Sequence, residues 1–243
     1  MSMIMSTLAA LAILGLGLTA QKTPPSTPSN EFHVVNYGAL CNGSADDTAA
    51  LQAAANAAEL TSGTVVLPPG NCRITDTVTF GNKASGSAGG YSAISIRGQG
   101  LYSSKITWGS VDKTKTALMI RHMSAFQWEG FTLQGPSNTP GAATQGSSVG
   151  IQADGCLPSC GGGTMNTHQV YERVGISGFY LGMWQGGTNS ASEVSCLQCV
   201  FNNNYKGFEG STFNSLNFWF RDLSLGGNDC GITGGDMVHV WGG

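Results

Sequence analysis

The sequence predicts an all-β chain: a right-handed parallel β-helix (solenoid) with an N-terminal capping α-helix. Three observations carry that prediction. An apolar pattern recurs at intervals of 25 and 24 residues, 36 glycines punctuate 243 positions, and residues 34–78 read as strand, turn, capped helix and strand. Fixed periods of this length belong to solenoids, whose units bury their apolar face only by stacking on a neighbour. Strand-like alternation between glycine turns makes the coil one of strands. Parallel crossovers are right-handed almost without exception.

Residues 1–20 are expected to be a secretory signal. The run 8–18 is apolar or glycine throughout, eleven residues long, and Leu18-Thr19-Ala20 precedes Gln21 as a cleavage site. Eleven residues are too few to span a bilayer. No Lys or Arg precedes the run, which keeps a buried helix or a misplaced start as the rival reading. Residues 21–32 carry Pro24, Pro25 and Pro28 among Ser and Thr and read as a linker. The remainder, 33–243, is expected to form one β-helix domain.

Within 34–78, Tyr37-Gly38-Ala39 is a turn, Asp46-Asp47-Thr48 starts a helix, and Gly63 ends it. Asp46 or Asp47 can accept hydrogen bonds from the first free amides of that helix. Leu51, Ala54, Ala55 and Ala58 fall at i, i+3, i+4 and i+7 and give it one apolar stripe. Thr64-Val65-Val66-Leu67 is a β-branched run before the Pro68-Pro69-Gly70 turn. This order of features resembles the opening segment of the pectate-lyase-like superfamily of right-handed parallel β-helices. Polygalacturonases, rhamnogalacturonases and phage tailspikes are among its members. The resemblance implies that the helix caps the open end of the coil. Cys41 and Cys72 lie in the two turns beside that helix and are expected to form a disulfide. Cys156 and Cys160 share a short loop and are expected to form a local one.

The repeat itself begins downstream. Tyr171-x-x-Val174-x-Ile176 recurs as Cys196-x-x-Cys199-x-Phe201 and as Phe220-x-x-Leu223-x-Leu225. Each copy leads to a glycine and an apolar residue: Gly182-Met183, Gly207-Phe208 and Gly231-Ile232. An earlier copy, Trp128-x-x-Phe131-x-Leu133, reaches Gly150-Ile151 after an insertion, 135–148, rich in Gly, Pro, Ser and Thr. Ile94-x-Ile96 and Ile106-x-Trp108 supply earlier strands. Cys196-x-x-Cys199 invites a zinc reading, but its cysteines occupy the inward columns of Tyr171/Phe220 and Val174/Leu223, where a thiol is a small hydrophobe. No metal site is assigned. Adding 24 to Phe220 places the next inward residue at 244, so the chain is expected to be truncated at its C-terminus as a further rung begins.

Eleven basic residues spread along a chain of net charge −3 make no patch that follows a phosphate backbone, so nucleic acid is not an expected partner. Stacking instead groups polar residues: His168, Glu193 and Asn217 in one column, Arg173, Gln198 and Asp222 in another, and Glu129, Glu172, Leu197 and Arg221 in a third. Acids beside bases in a groove suit an acidic sugar. Glu193 and Asp222 are the candidate catalytic acid and base, and His168, Arg173, Glu172 and Arg221 the candidate substrate contacts, with Arg173 the best carboxylate anchor. The insertion 135–148 is expected to roof them. Tyr180 and Tyr205 share a column, and Trp184 aligns with Glu209.

The polygalacturonase signatures Asn-Thr-Asp, Gly-His-Gly and Arg-Ile-Lys are missing from the sequence. The leading expectation is an exported protein that binds or processes a pectin-like polysaccharide, as a lyase or glycoside hydrolase. The alternative is a non-catalytic adhesin or tailspike-like fibre. No cofactor is required by the sequence; a lyase would bring in calcium. The mature form is expected at the cell surface, in the periplasm or secreted, without a membrane span, and its oligomeric state, monomer or trimer, is open.

Overall fold

The computed structural model describes residues 30–81, 92–110, 112–154, 166–186, 192–210, 216–234 and 236–242. Cys156 and Cys160 lie outside them, as do residues 1–29. The described chain winds as a coil of parallel strands with three faces. The first face runs from Glu31–His33 through Thr64–Val66, Ser95–Arg97, Ser124–Gln134, Thr167–Ser177, Val194–Leu197 and Leu216–Arg221 to Asp236–Trp241. The C-terminal halves of Ser124–Gln134 and Thr167–Ser177 turn a corner and continue the second face, with Ser104–Trp108 below and Val200–Asn202 and Ser224–Gly226 above. The third face stacks Val78–Phe80, Thr116–Ile120, Val149–Ala153, Leu181–Gln185, Lys206–Gly210 and Cys230–Gly234.

The register expected from the repeat holds. Trp128, Tyr171, Cys196 and Phe220 are successive neighbours in one inward column, and Leu133, Ile176, Phe201 and Leu225 in another. Ile151, Met183, Phe208 and Ile232 stack on the third face. Cys196 and Cys199 are each about 1% exposed, which places both thiols in the core. Burial pushes the Cys196 thiol and the Tyr171 phenol well above their ordinary values. Tyr171 answers its burial by donating to Gln169 Oε1 at 2.8 Å.

Two expectations need correction. Leu225 stacks on Phe201 but is 42% exposed, because its strand pairs on one side only. The rung after Phe220 also arrives early: Phe220 pairs with Val240, a step of twenty, so the inward position expected at 244 is filled four residues sooner. The connection shortened while the strands kept their pattern.

The corners explain how the chain turns so sharply. Residues 168, 173 and 178, then 193, 198 and 203, then 217, 222 and 227, all have φ between 50° and 80°. Left-handed backbone thus recurs every fifth residue, and four extended residues fit between successive bends. Most bends carry side chains, an uncommon conformation for anything but glycine. Just inside the third bend sits a feature that the sequence reading missed. Buried Asn204 accepts from the Phe179 amide at 3.0 Å and donates to Ile176 O at 3.0 Å and to Asn228 Oδ1 at 3.2 Å. Asn228 repeats the device one rung on, donating to Phe201 O at 2.6 Å. The turn amides and carbonyls, which no strand can satisfy, find partners in this ladder.

The helix Thr48–Glu59 buries Ala50, Leu51, Ala54, Ala55 and Ala58 over the first rungs and covers apolar ends that would otherwise meet water. Cys41 and Cys72 form the expected disulfide. Asp47, at the N-cap, does not cap the helix through its side chain; its carboxylate accepts from the Leu40, Cys41 and Arg73 amides and ties turn to strand. The amide of Thr48 is instead held by Asp46 at 3.1 Å. The helix proper stops at Glu59, and Gly63 closes its end as expected. After left-handed Ser62, φ 51°, the Gly63 amide donates to Ala58 O at 2.8 Å, and an added Cβ there would lie 2.4 Å from the Phe32 ring.

Burial pushes the Asp46 carboxyl up, but hydrogen bonds from the Thr48 and Thr75 hydroxyls and the Thr48 amide outweigh it and hold the group below its usual 3.8. A depressed folded value means the contribution is present above the unfolded value and is lost as pH falls through the folded one. Amide exchange at Thr48 and Thr75 is therefore expected to quicken, relative to the third-face strands, as pH drops below about 4. Equal protection at about pH 3 and pH 6 would contradict it.

Candidate functional site

The site residues proposed from sequence all lie on the first face or on its two bounding corners. His168, Glu193 and Asn217 occupy one corner column, and Arg173, Gln198 and Asp222 the other. Their polarity thus has a second cause: these are the left-handed bends, which point to solvent. Between the corners each strand turns two side chains outward. One outward column holds Gln127, Val170, Ser195, Trp219 and His239, and the next holds Glu129, Glu172, Leu197, Arg221 and Trp241.

His168 and Glu193 are brought together, with Nδ1 3.1 Å from Oε2; the imidazole is largely exposed and the carboxylate side chain about half-buried. They line a shallow cleft of about 400 Å³ with Val170, Ser195, Asn217 and Trp219. Glu172 and Arg173 also meet. Register stacks Glu172 directly on Glu129, about 4.8 Å apart as strands pack, and two carboxylates so close need a counter-charge. Arg173 supplies it by binding Glu172 and standing 4.0 Å from Glu129. Gln127 bridges the pair, donating 3.1 Å to each. Arg173 is therefore already occupied as a carboxylate partner.

Glu193 and Asp222 are not brought together. Five residues separate the two corner columns, roughly 16 Å of extended chain, whereas carboxylates flanking one glycosidic bond stand about 5–10 Å apart. Arg221 has no ion pair among the described residues and lies beside Trp219 and Trp241 along a depression of about 550 Å³. The insertion 135–148 does not roof this face. Gln145 Nε2 donates to Asn203 O at 2.7 Å, and the Ser137 amide to Gly178 O at 3.2 Å, which seats it beside the third bend.

The aromatic part of the face was missed. Trp219, His239 and Trp241 stack nearly parallel, with centroids 4.4 Å apart for Trp219–His239 and 5.1 Å for Trp219–Trp241. Both indoles are more than two-fifths exposed. The shortened rung hid them, since a step of 24 sends the partner of Trp219 to 243 rather than to His239. Tyr180 and Tyr205 do stack as expected, 4.8 Å apart, and Trp184 pairs with Glu209. Among the described residues, the three potential metal-ligating atoms that converge belong to Cys41, Asp47 and Cys72, and the disulfide consumes two of them. No calcium ligand set is assigned.

Solved structures share the fold. The Agl-KA catalytic domain superposes with a TM-score of 0.66 at 20% identity, covering 89% of this chain and 35% of its own. Tailspike protein 2 of Escherichia coli O157:H7 bacteriophage CAB120 gives 0.59 at 18% identity, over 84% of this chain and 27% of its own. The A-module of Azotobacter vinelandii mannuronan C-5 epimerase AlgE4 gives 0.52 at 18%, over 81% and 58%. The chain thus spans about a third of the Agl-KA domain and under two thirds of the epimerase module. No curated protein matches the sequence. Among the described residues no helix is long and apolar enough to cross a membrane. The family model described as rhamnogalacturonase A/epimerase, pectate lyase-like, matches residues 32–240, and the chain belongs to that family.

Proposed function

We propose that this is an exported protein that binds and cleaves an acidic, pectin-like polysaccharide on its first face, by β-elimination. The observation that carries the reading is the His168–Glu193 pair in one cleft with the exposed Trp219 platform. A pyranose ring stacks on an indole face, and a single acid–base pair suits proton abstraction better than hydrolysis, which needs two carboxylates across one bond. In this reaction the base takes the proton next to the uronate carboxyl. The electron pair forms the ring double bond, the glycosidic C–O bond breaks, and the leaving oxygen is protonated. Glu193 serves as base with His168 beside it. The uronate carboxylate is met by Arg221, which has no ion pair among the described residues, rather than by Arg173, which Glu172 and Glu129 neutralise.

A non-catalytic, tailspike-like role is the second reading, favoured by that same internal neutralisation. The two separate in an assay of polygalacturonate with the full-length protein. Unsaturated uronate ends should form, Glu193→Gln should slow their formation by about 10²-fold or more, and Arg173→Ala should bind as wild type. New reducing ends without unsaturation would point to hydrolysis. A folded protein that binds no polysaccharide would hand the case to the fibre.

A further inference from the structure

We propose that the second face carries a separate saccharide-binding cleft, built for a sugar unit bearing an anionic group. The cleft, about 440 Å³, lies between the turn 98–103 and the insertion 135–148. That volume is of the size that holds a small ligand. Its floor follows from register. One outward column runs Lys105, Thr132, Gly175, Val200, and the next Thr107, Gln134, Ser177, Asn202. Gly175 sends no side chain out, and Leu101 leans into the space, where an added Cβ would sit 3.0 Å from its Cδ1. The result is a narrow apolar strip of Leu101 and Val200 beside a row of amides and hydroxyls.

Three features point to a sugar. Tyr102 stands at the rim 87% exposed, a flat ring for a pyranose face. Gln134, Ser177 and the insertion's Asn138 have side chains with no hydrogen-bond partner among the described residues, and Asn202 spends only its oxygen, on the Gly226 amide. Donors and acceptors are thus arrayed for several hydroxyls at once. The charge then selects among sugars. Among the described residues Lys105 has no carboxylate within ion-pair distance, whereas Lys115, Lys206, Arg97 and Arg173 are each paired with an acid. No Asp or Glu lines the cleft, although the chain as a whole carries net charge −3. An isolated ammonium on a flexible stem is a point-charge site for a carboxylate or similar anion. One cation is too little for a phosphate backbone. The insertion thereby finds its place as a wall of this cleft. The assignment needs no chemistry at His168 or Glu193.

The test is titration of the full-length protein with galacturonate trimers and with neutral galactose trimers, read by amide chemical shifts at Gly175 and Asn202 and by calorimetry. Lys105→Gln should weaken the charged trimer at least tenfold and leave the neutral one unchanged. Tyr102→Ala should weaken both. Both side chains lie on the surface, so the fold should survive. Trp219→Ala should leave the Gly175 and Asn202 shifts intact while impairing the first face. Wild-type binding in both cleft variants, or shifts confined to Trp219 and Arg221, would overturn the proposal. Loss of turnover in Glu193→Gln with the Gly175 shifts preserved would separate the two faces.

Discussion

Replacing Phe201 by alanine is expected to lower the unfolding free energy by about 3–5 kcal/mol. The ring is wholly buried, sandwiched in its column between Ile176 below and Leu225 above. Ladders of backbone hydrogen bonds hold the neighbouring strands in place, so the coil cannot close around the missing ring and much of the cavity persists. Urea unfolding followed by tryptophan fluorescence would measure it. A loss below about 1 kcal/mol would show that the column is not a load on the core at this level. Leu225→Ala is the internal control. Its side chain already meets solvent, so the same column should lose far less there.

Removing the cap clamp should cost nearly as much. A double Cys41→Ser, Cys72→Ser variant opens a loop of 31 residues, worth ~3–4 kcal/mol in the chain-entropy account. The helix Thr48–Glu59 lies inside that loop and reaches the coil mainly through alanines, which bury little area each. It should therefore be the first element to fray. Reductant should shift the unfolding midpoint of the wild type by more than that of the double variant, where only the short loop expected between Cys156 and Cys160 remains to open. An unshifted wild type would show that Asp47, through its three backbone contacts, holds the cap alone.

The fold was legible because a coil writes its register into the sequence. Tyr171, Cys196 and Phe220 differ in chemistry, yet their common spacing and their place beside Val174, Cys199 and Leu223 marked them as inward. The same arithmetic failed where the connection length changed, so Trp219, His239 and Trp241 were never aligned. Polarity misled in a subtler way. His168, Glu193, Arg173 and Asp222 were singled out as a groove, and they do share columns, but left-handed bends already demand exposed residues there. Of the proposed contacts, the His168–Glu193 and Glu172–Arg173 pairs are real neighbours. The cleft at Gly175 was invisible to sequence because what defines it is a side chain that is absent, flanked by a turn and an insertion from distant parts of the chain.

The five-residue step between bends has a consequence for how such a chain can change over time. Adding or removing one residue between 168 and 178 would move a bend onto an extended position and turn inward side chains to water. Single-residue changes are thus costly along that arc, and the rungs from Trp128 onward keep its length. One rung earlier, Ile96 to Ile106 spans ten residues where Trp128 to Leu133 spans five, because the whole turn 98–103 loops out at the corner. Beyond the arc the spacing varies freely: Trp128 and Tyr171 are neighbours across 43 residues, Tyr171 and Cys196 across 25, and Phe220 and Val240 across 20, while Ser124–Gln134 and Thr167–Ser177 stay in register along their whole length. A library that inserts sequence into 135–148 should yield folded protein, while single-residue deletions between His168 and Gly178 should not. From Trp128 onward the coil therefore separates the part of a rung that must be inherited intact from the part free to acquire new specificity, and where the arc does change it does so by a whole loop.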